Sequence, residues 1–130
     1  MSAEKPHPTA GYEHVTIAEP GRIAYLAGQC PLDADERVVG AGDLARQIDQ
    51  VAANAMVALA SVGARPEDVV RSVVYVVSAD SKVVGDAWHR FAEHTGLGPA
   101  FKAASTVVGV AALGYRHQLV ELDLTARLPA

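Results

Sequence analysis

Cysteine is nearly absent from this chain. Cys30 is its only cysteine in 130 residues, so no disulfide can form within one copy. The chain also contains no apolar run as long as a membrane-spanning helix, and residues 1–10 lack the apolar centre of a secretory signal. From these absences we expect a cytoplasmic protein with no membrane partner.

Clustered positive charge is missing as well. The chain has 11 lysines and arginines against 15 acidic residues, which gives a formal net charge of −4, and its basic residues are scattered singly. Binding to the phosphate backbone of a nucleic acid depends on clustered lysine and arginine. We therefore expect no nucleic-acid partner.

Small apolar residues dominate what is present. Half of the chain is hydrophobic although only 5% is aromatic, and alanine and valine account for most of the apolar set. This composition is typical of one compact domain in which helices pack closely on a sheet. Residues 1–11 are predicted to be a loose lead-in, and residues 12–130 to form the domain.

Seven elements are predicted from the hydrophobic periodicity and the turn residues between them. Helix one runs from an Asp43 N-cap to Val62 and stops at Gly63, and helix two covers about Asp80 to His94. The predicted strands are His14–Ile17, Ile23–Ala27, Val69–Val77, Ala104–Val110 and Gln118–Ala126. The order ββαβαββ predicts an α+β fold, with one sheet and two helices on one of its faces.

The strands carry more apolar residues than one covered face requires. In the last strand Val120, Leu122 and Leu124 alternate with Glu121, Asp123 and Thr125. The Val69–Val77 strand is apolar on both sides, with Val73, Tyr75 and Val77 on one face and Val70, Val74 and Val76 on the other. A sheet with two apolar faces needs cover on both, so we expect a second copy on the open face. The alternative is that the extra valines only reflect β-propensity.

Several short motifs together resemble the Rid (reactive-intermediate deaminase, YjgF-type) family. The second strand ends in Ala27-Gly28-Gln29, where the family has Ser-Gly-Gln. The other matching positions are Gln50 and Asn54, Gly63-Ala64 with Glu67-Asp68-Val69-Val70, the stretch 105–113, and Leu119-Val120-Glu121-Leu122. The resemblance covers about Tyr12 to Ala126 in the family's element order.

The resemblance implies a chorismate-mutase-like fold, a homotrimer and a small-molecule cleft between adjacent subunits, with no metal or organic cofactor. Many members hydrolyse 2-imino or 2-enamino acids to 2-keto acids and ammonia. In them an arginine binds the substrate carboxylate and a glutamate orients the attacking water. Some members were once described as ribonucleases, an alternative that the acidic charge of this chain disfavours.

The family arginine is missing here. Where the family typically has Pro-Ala-Arg-Ser, this chain has Lys102-Ala103-Ala104-Ser105, and the methyl group of Ala104 cannot bind a carboxylate. Hydrolysis of simple 2-imino acids is therefore predicted to be weak or absent. Lys102, Arg116 and His117 are candidates to replace the lost cation, although each is also explained as a solvated surface charge.

The matching positions give the candidate site. Glu121 is the candidate catalytic residue, and a structural carboxylate is its alternative role. The candidate substrate-binding residues are Tyr12, His14, Ala27, Gly28, Lys102, Ala104, Ser105, Thr106 and Tyr115. Two hypotheses follow for the cleft, a divergent enamine or imine hydrolase and a non-catalytic metabolite-binding protein. His89 and Glu93 have the i, i+4 spacing of metal ligands, but they lack a third ligand, and no metal is predicted.

Overall fold

Residues 4–130 are described by a computed structural model, and residues 1–3 of the predicted lead-in lie outside them. The chain forms the predicted α+β fold with two helices, and its sheet has four strands rather than the five predicted. The strands and helices are β1 (Ile23–Tyr25), α1 (Leu44–Ser61), β2 (Val69–Val77), α2 (Ser81–Ala92), β3 (Ala104–Val110) and β4 (Val120–Arg127), with 3-10 turns at Pro66–Asp68 and Gly98–Lys102. In residues 4–130, no helix combines the length and the apolar character that crossing a bilayer requires.

Side-chain caps fix where the helices begin. An Asp43 carboxylate oxygen accepts a hydrogen bond from the backbone N–H of Arg46, and Asp80 caps α2 in the same way. The first helix ends before Gly63, which adopts the left-handed φ of 74°. The second ends two residues earlier than predicted because His94 Nδ1 accepts hydrogen bonds from the backbone of Gly96 and Leu97, which turns the chain.

The predicted strand His14–Ile17 does not form. The segment lies beside the start of β3, where the Glu13 N–H donates to the Lys102 carbonyl and the Ala104 N–H donates to Thr16 Oγ1, each at 2.8 Å. The Thr16 hydroxyl, and not a backbone carbonyl, accepts the hydrogen bond from Ala104. The regular backbone pairing of two strands therefore does not form between this segment and β3. The observed order is therefore βαβαββ among the described residues.

The sheet order is β1–β4–β2–β3, with β2 parallel to β3 and antiparallel to β4. A register shift between Val69 and Arg71 turns Val69 into the core and leaves Val70 half-buried, which corrects the face predicted for Val70. Both helices pack on one face of the sheet, where Val74, Val76, Val120, Leu122, Leu124 and Ala126 are fully buried.

The opposite face, which we call the open face, carries the alternate residues of each strand. Along β4 and β2 these include Glu121, Asp123 and Tyr75, all half-buried, and the exposed Arg71. Tyr25 on β1 is 81% exposed. Apolar and charged side chains therefore share a surface that no helix of the described residues covers.

Candidate functional site

Glu121 lies on the open face of β4, and its two carboxylate oxygens have different surroundings. Oε1 accepts hydrogen bonds from Gln118 Nε2 at 3.1 Å and from Cys30 Sγ at 3.4 Å. Oε2 bonds to no residue of the described chain, so it can accept a proton or a hydrogen bond from water or a ligand. One oxygen is held in place while the other is available for chemistry.

Gly28 is positioned directly against this carboxylate. The neighbouring Gln29 pairs with Leu122 through two backbone hydrogen bonds, 2.7 and 3.0 Å long, which draw the segment across β4. A Cβ at Gly28 would collide with Glu121 Oε2, and it would lie 2.8 Å from the carboxylate carbon. Glycine is therefore needed here because of close approach, and the predicted grouping of Ala27-Gly28 with Glu121 is present in the fold.

A depression of about 280 Å³ opens beside these groups, and we call it the Glu121 hollow. Leu26, Gly28, Tyr75, Leu113, Glu121 and Asp123 line it. It combines apolar walls with two carboxylates, a setting suited to an uncharged or cationic part of a small molecule.

Cys30 is a hydrogen-bond donor to Glu121 rather than a nucleophile. Its partial burial, followed by the charge and the hydrogen bond of Glu121, raises the pKa of the thiol from its ordinary value of 9.0 to about 11. At neutral pH the sulfur therefore keeps its proton, and the reactive thiolate is scarce.

A second depression, of about 410 Å³, lies at the edge strand β3, and we call it the Thr106 hollow. Its lining consists of Ala10, Tyr12, Gly85, Trp88, His89, Ser105, Thr106 and Val107. The rings of Tyr12 and Trp88 meet edge to face with centroids 5.6 Å apart, which fixes the wall formed by the N-terminal segment.

Alternation along β3 decides which groups can serve this hollow. The Ala104 N–H points away from β2, toward Thr16, so the Thr106 N–H points toward the same free edge. The Ser105 hydroxyl is already engaged on the helix side of the sheet, 2.6 Å from Ser72 Oγ and donating to the Ala103 carbonyl. Thr106 is therefore better placed than Ser105 to present polar groups to a ligand.

The remaining predicted residues lie outside both hollows. His14 bonds through Nε2 to the His7 carbonyl at 2.7 Å, and Lys102 is exposed on the Gly98–Lys102 turn. Arg116 and His117 are exposed on the loop after β3, about 20 Å along that strand from Ala104. Tyr115 is 43% exposed, and its N–H donates to Gln118 Oε1.

The metal spacing on α2 does not develop into a metal site. His89, Glu93 and His94 line an open depression of about 460 Å³ together with Arg90, which donates to Asp49 at 2.8 Å. Within residues 4–130, no group of three or more histidine, cysteine or acidic side chains is arranged to hold a metal ion.

The two hollows are well separated within one copy. Glu121 pairs with Tyr75, which pairs in turn with Val108 on β3, whereas Ala104 pairs with Arg71, four residues earlier on β2. Four residues span about 13 Å along a strand, and β4 and β3 are two strand spacings apart, about 10 Å. A single chain therefore does not bring its candidate catalytic carboxylate to the position of the family arginine.

Two residues of this region were missed in the sequence. Gln118 is 3% exposed and joins the Tyr115 turn to Glu121. The sequence does mark Gln118, because it is a polar residue at a position that strand alternation assigns to the same face as the apolar Val120 and Leu122. Arg71 is a lone cation in a valine-rich strand, and only the pairing of β2 with β3 places it beside Ala104.

Comparison with known proteins supports the resemblance. Residues 2–128 match the family described as Endoribonuclease L-PSP. YyfB of Yersinia pestis, a Rid-family protein of unknown function, has a TM-score of 0.80 and 31% identity, over 98% of this chain and 96% of its own. Yeast Mmf1 has a TM-score of 0.69 and 26% identity, over 95% and 92%. Protein DfrA of Myxococcus xanthus is 29% identical over 126 residues, 96% of this chain and 91% of DfrA.

Proposed function

The chain belongs to the Endoribonuclease L-PSP family, the family of the Rid proteins, and on that basis we propose that it is a divergent enamine or imine hydrolase acting on a small molecule. Its site would form between copies of a homotrimer, where the Glu121 hollow of one copy meets the Thr106 hollow of the next. The observation that carries this proposal is the separation of the two hollows within one chain.

The open face supports the assembly. Val73, Tyr75 and Val77 lie half-buried along β2, and Val108 beside them is 38% exposed. Apolar side chains grouped on an uncovered sheet face are stabilised when another copy excludes water from them. The same contact would place two half-sites on one ligand.

The chemistry follows from the free oxygen of Glu121. As a water oxygen bonds to the C=N carbon, Glu121 Oε2 takes a proton from that water and returns it to the nitrogen, which gives a carbinolamine. Glu121 then takes the hydroxyl proton, C=O forms, the C–N bond breaks, and the proton leaves with the nitrogen as ammonia. One water is consumed, and the carboxylate is regenerated without a cofactor.

The donors in the second hollow orient the substrate. The Thr106 N–H at the free edge of β3 and the hydroxyl of Tyr12 are available to hold a polar group of the ligand. Ala104 provides no guanidinium, so simple 2-imino acids are bound without the family's bidentate contact. We expect their hydrolysis to be slow.

A coupled assay tests the proposal. An amino-acid oxidase generates the imine, semicarbazide traps what remains, and the loss of trapped product measures hydrolysis. We expect low but measurable turnover that Glu121→Gln reduces by about 10²–10⁴-fold, the usual worth of a general base. Glu93→Gln, which changes an exposed carboxyl directly after α2, serves as the control. Turnover that survives Glu121→Gln would contradict the proposed role.

A metabolite-binding protein is the second candidate, and Ala104 is the observation that favours it. A site that has lost its carboxylate-binding arginine can keep a ligand without turning it over. In that case the wild type shows no hydrolysis, and Glu121→Gln changes nothing in the assay. A ribonuclease is disfavoured by the net charge of −4, although the family description names that activity.

A further inference from the structure

Gln118 is a buried polar side chain that lies two residues before β4. Only 3% of its surface is exposed, and an apolar side chain of similar length would fill the same space without needing hydrogen-bond partners. The described hydrogen bonds of its amide join three groups, the Tyr115 N–H, the Val120 carbonyl and Glu121 Oε1. One of these groups belongs to the candidate catalytic carboxylate.

The bond from Tyr115 determines which end of the Gln118 amide meets Glu121. The Tyr115 N–H donates to Gln118 Oε1, and the Gln118 N–H donates back to the Tyr115 carbonyl, both at 3.1 Å. With its oxygen held there, the amide directs its nitrogen to the Val120 carbonyl at 3.0 Å and to Glu121 Oε1 at 3.1 Å. The reverse orientation would place the amide oxygen against a carboxylate, where neither group can donate. The turn therefore presents a donor to Glu121.

This donor acts on the oxygen of Glu121 that is already occupied, and it leaves the other oxygen free. Gln118 Nε2 and Cys30 Sγ both donate to Oε1, and they come from two separate segments of the chain. An amide N–H is a stronger donor than a thiol, so Gln118 makes the principal contact. Oε2 lies so close to the backbone of Gly28 that a Cβ there would collide with it. Holding Oε1 therefore determines where Oε2 points.

A second buried glutamine provides the structural comparison. Gln47 on α1 is fully buried and binds the same loop, through the His117 carbonyl at 2.8 Å and the Leu119 N–H at 2.7 Å. These bonds secure the backbone where His117 adopts the left-handed φ of 68°. The described bonds of Gln47 go to backbone groups and not to Glu121. Gln47 thus attaches the loop to the core, whereas the contact with the carboxylate is specific to Gln118.

We infer that Gln118 is a positioning residue, which holds Glu121 so that Oε2 faces the Glu121 hollow in a geometry suited to proton transfer. The inference rests on the proposed function for its effect on rate. Gln118 does not line the hollow, so it acts through Glu121 and not on the ligand. Without it the carboxylate should exchange among several side-chain conformations, and only a fraction of them would be productive.

Gln118→Met tests the inference, because methionine keeps the length of the side chain and has no N–H to donate. In the coupled imine assay kcat should fall by about tenfold to a hundredfold, the cost of misplacing a reacting group by up to about 1 Å. KM should change little, since no contact with the ligand is lost. Gln47→Met is the matched control. It also removes a buried amide and should lower the stability, but the folded variant should keep the wild-type kcat.

Cys30 provides a graded comparison on the same oxygen. Cys30→Ala removes the weaker of the two donors to Oε1, so its loss of kcat should be smaller than that of Gln118→Met. Cys30→Ser keeps a hydroxyl donor and should lose less than Cys30→Ala. A larger loss in Cys30→Ala than in Gln118→Met would contradict the assignment of Gln118 as the principal contact.

The order of the Glu121 side chain gives a readout that needs no turnover. NMR relaxation of protein labelled with carbon-13 at glutamate should find Glu121 rigid in the wild type and in Gln47→Met, and mobile in Gln118→Met. The exposed Glu93 is the internal reference for a mobile glutamate. Because the wild type alone already distinguishes a rigid from a mobile Glu121, this measurement holds even if Gln118→Met does not fold.

The outcomes separate this inference from the proposed function. A wild-type Glu121 as mobile as Glu93, a Gln118→Met with the wild-type kcat, or an equal loss of kcat in Gln118→Met and Gln47→Met overturns the role of Gln118. Each of these results leaves the hydrolase proposal to the Glu121→Gln assay. A rigid Glu121 that Gln118→Met makes mobile, in a protein with no turnover in any form, supports Gln118 and removes the hydrolase.

Discussion

The two faces of the sheet obey different requirements. On the helix side, Val74, Leu122 and Leu124 are completely buried in one apolar cluster that also contains side chains of α1 and α2. On the open face, the same strands carry Tyr75, Glu121 and other side chains that a single copy leaves half-covered. Alternation along one strand thus serves both purposes, since neighbouring residues point to opposite sides.

This difference separates the residues whose roles are explained within one chain from those whose roles require a second copy or a ligand. The helix side is determined by stability, because replacing any of its residues leaves a cavity or a buried polar group. The open face holds a carboxylate with one anchored oxygen and an arginine without an acidic partner among the described residues, arrangements that stability alone does not require. The following predictions alter one face at a time.

The largest effect is expected from a charge placed at the centre of the open face. Val73→Asp puts a carboxylate beside Asp123, its partner on β4, and burying an unpaired charge between copies costs several kcal/mol. We expect the assembly to dissociate while far-UV circular dichroism of the single chain stays native. Val57→Asp, at a position 71% exposed on α1, is the control and should leave the assembly intact. An unchanged oligomer in Val73→Asp would show that this face is not an interface.

The covered face should respond in stability. Leu122→Ala removes a fully buried side chain from β4 and is expected to lower the free energy of unfolding by about 2–5 kcal/mol. Val57→Ala on the exposed side of α1 should change it by no more than about 0.5 kcal/mol. Urea denaturation of both variants measures the contrast. Comparable losses in the two would mean that the core is not where the structure places it.

A smaller, site-specific effect is expected at Gly28. The Cβ of Gly28→Ala would push the Glu121 carboxylate from its position by about 1 Å, a displacement that costs about a hundredfold in rate. Gly114→Ala is matched to it, because a Cβ there meets no atom within 4 Å. The coupled imine assay compares the two. Full activity in Gly28→Ala would show that the close approach has no functional role.

The smallest effect concerns the thiol. With the pKa of Cys30 raised to about 11, alkylation by iodoacetamide should be slow at pH 8 and should accelerate only as the pH approaches 11. The unfolded chain releases this proton near 9.0, so the free energy of unfolding should decrease as the pH rises from there toward 11.

Glu121→Gln separates the causes of this shift. Burial, the largest cause, remains in the variant, whereas the charge of Glu121 is removed, so the pKa of Cys30 should fall only part of the way toward 9.0. Mass spectrometry of the alkylated chain over a range of pH gives the value. A Cys30 that titrates near 9.0 in the wild type would contradict the contact with Glu121.

The elements predicted closely from the sequence are those whose ends or faces are determined by neighbouring residues. Both helices were predicted closely because Asp43, Asp80 and Gly63 are short-range signals that act within one turn. The strand at His14–Ile17 was predicted from residue preference, but the segment bonds to the Ala104 N–H through the Thr16 side chain rather than through its backbone, which a propensity does not encode. β4 was predicted to within two residues at its start and one at its end, since its alternation is strict.

The candidate site also combines residues that short motifs predict with a residue that only the folded structure reveals. Glu121 and Gly28 could be proposed from short motifs, and the fold places them side by side. Arg71 could not, since its nearness to Ala104 depends on the pairing of two strands that are distant in sequence. Whether the two hollows share one ligand depends on a second copy, and that information lies in no single chain.

The mass of the native particle in solution tests the central claim most directly. Light scattering coupled to size-exclusion chromatography should give three times the 13.6 kDa of one chain, and Val73→Asp should return it to the value of one chain. A wild-type particle of 13.6 kDa at all concentrations would leave Glu121 and Thr106 at separate places on a monomer, and the account of a shared site would fail.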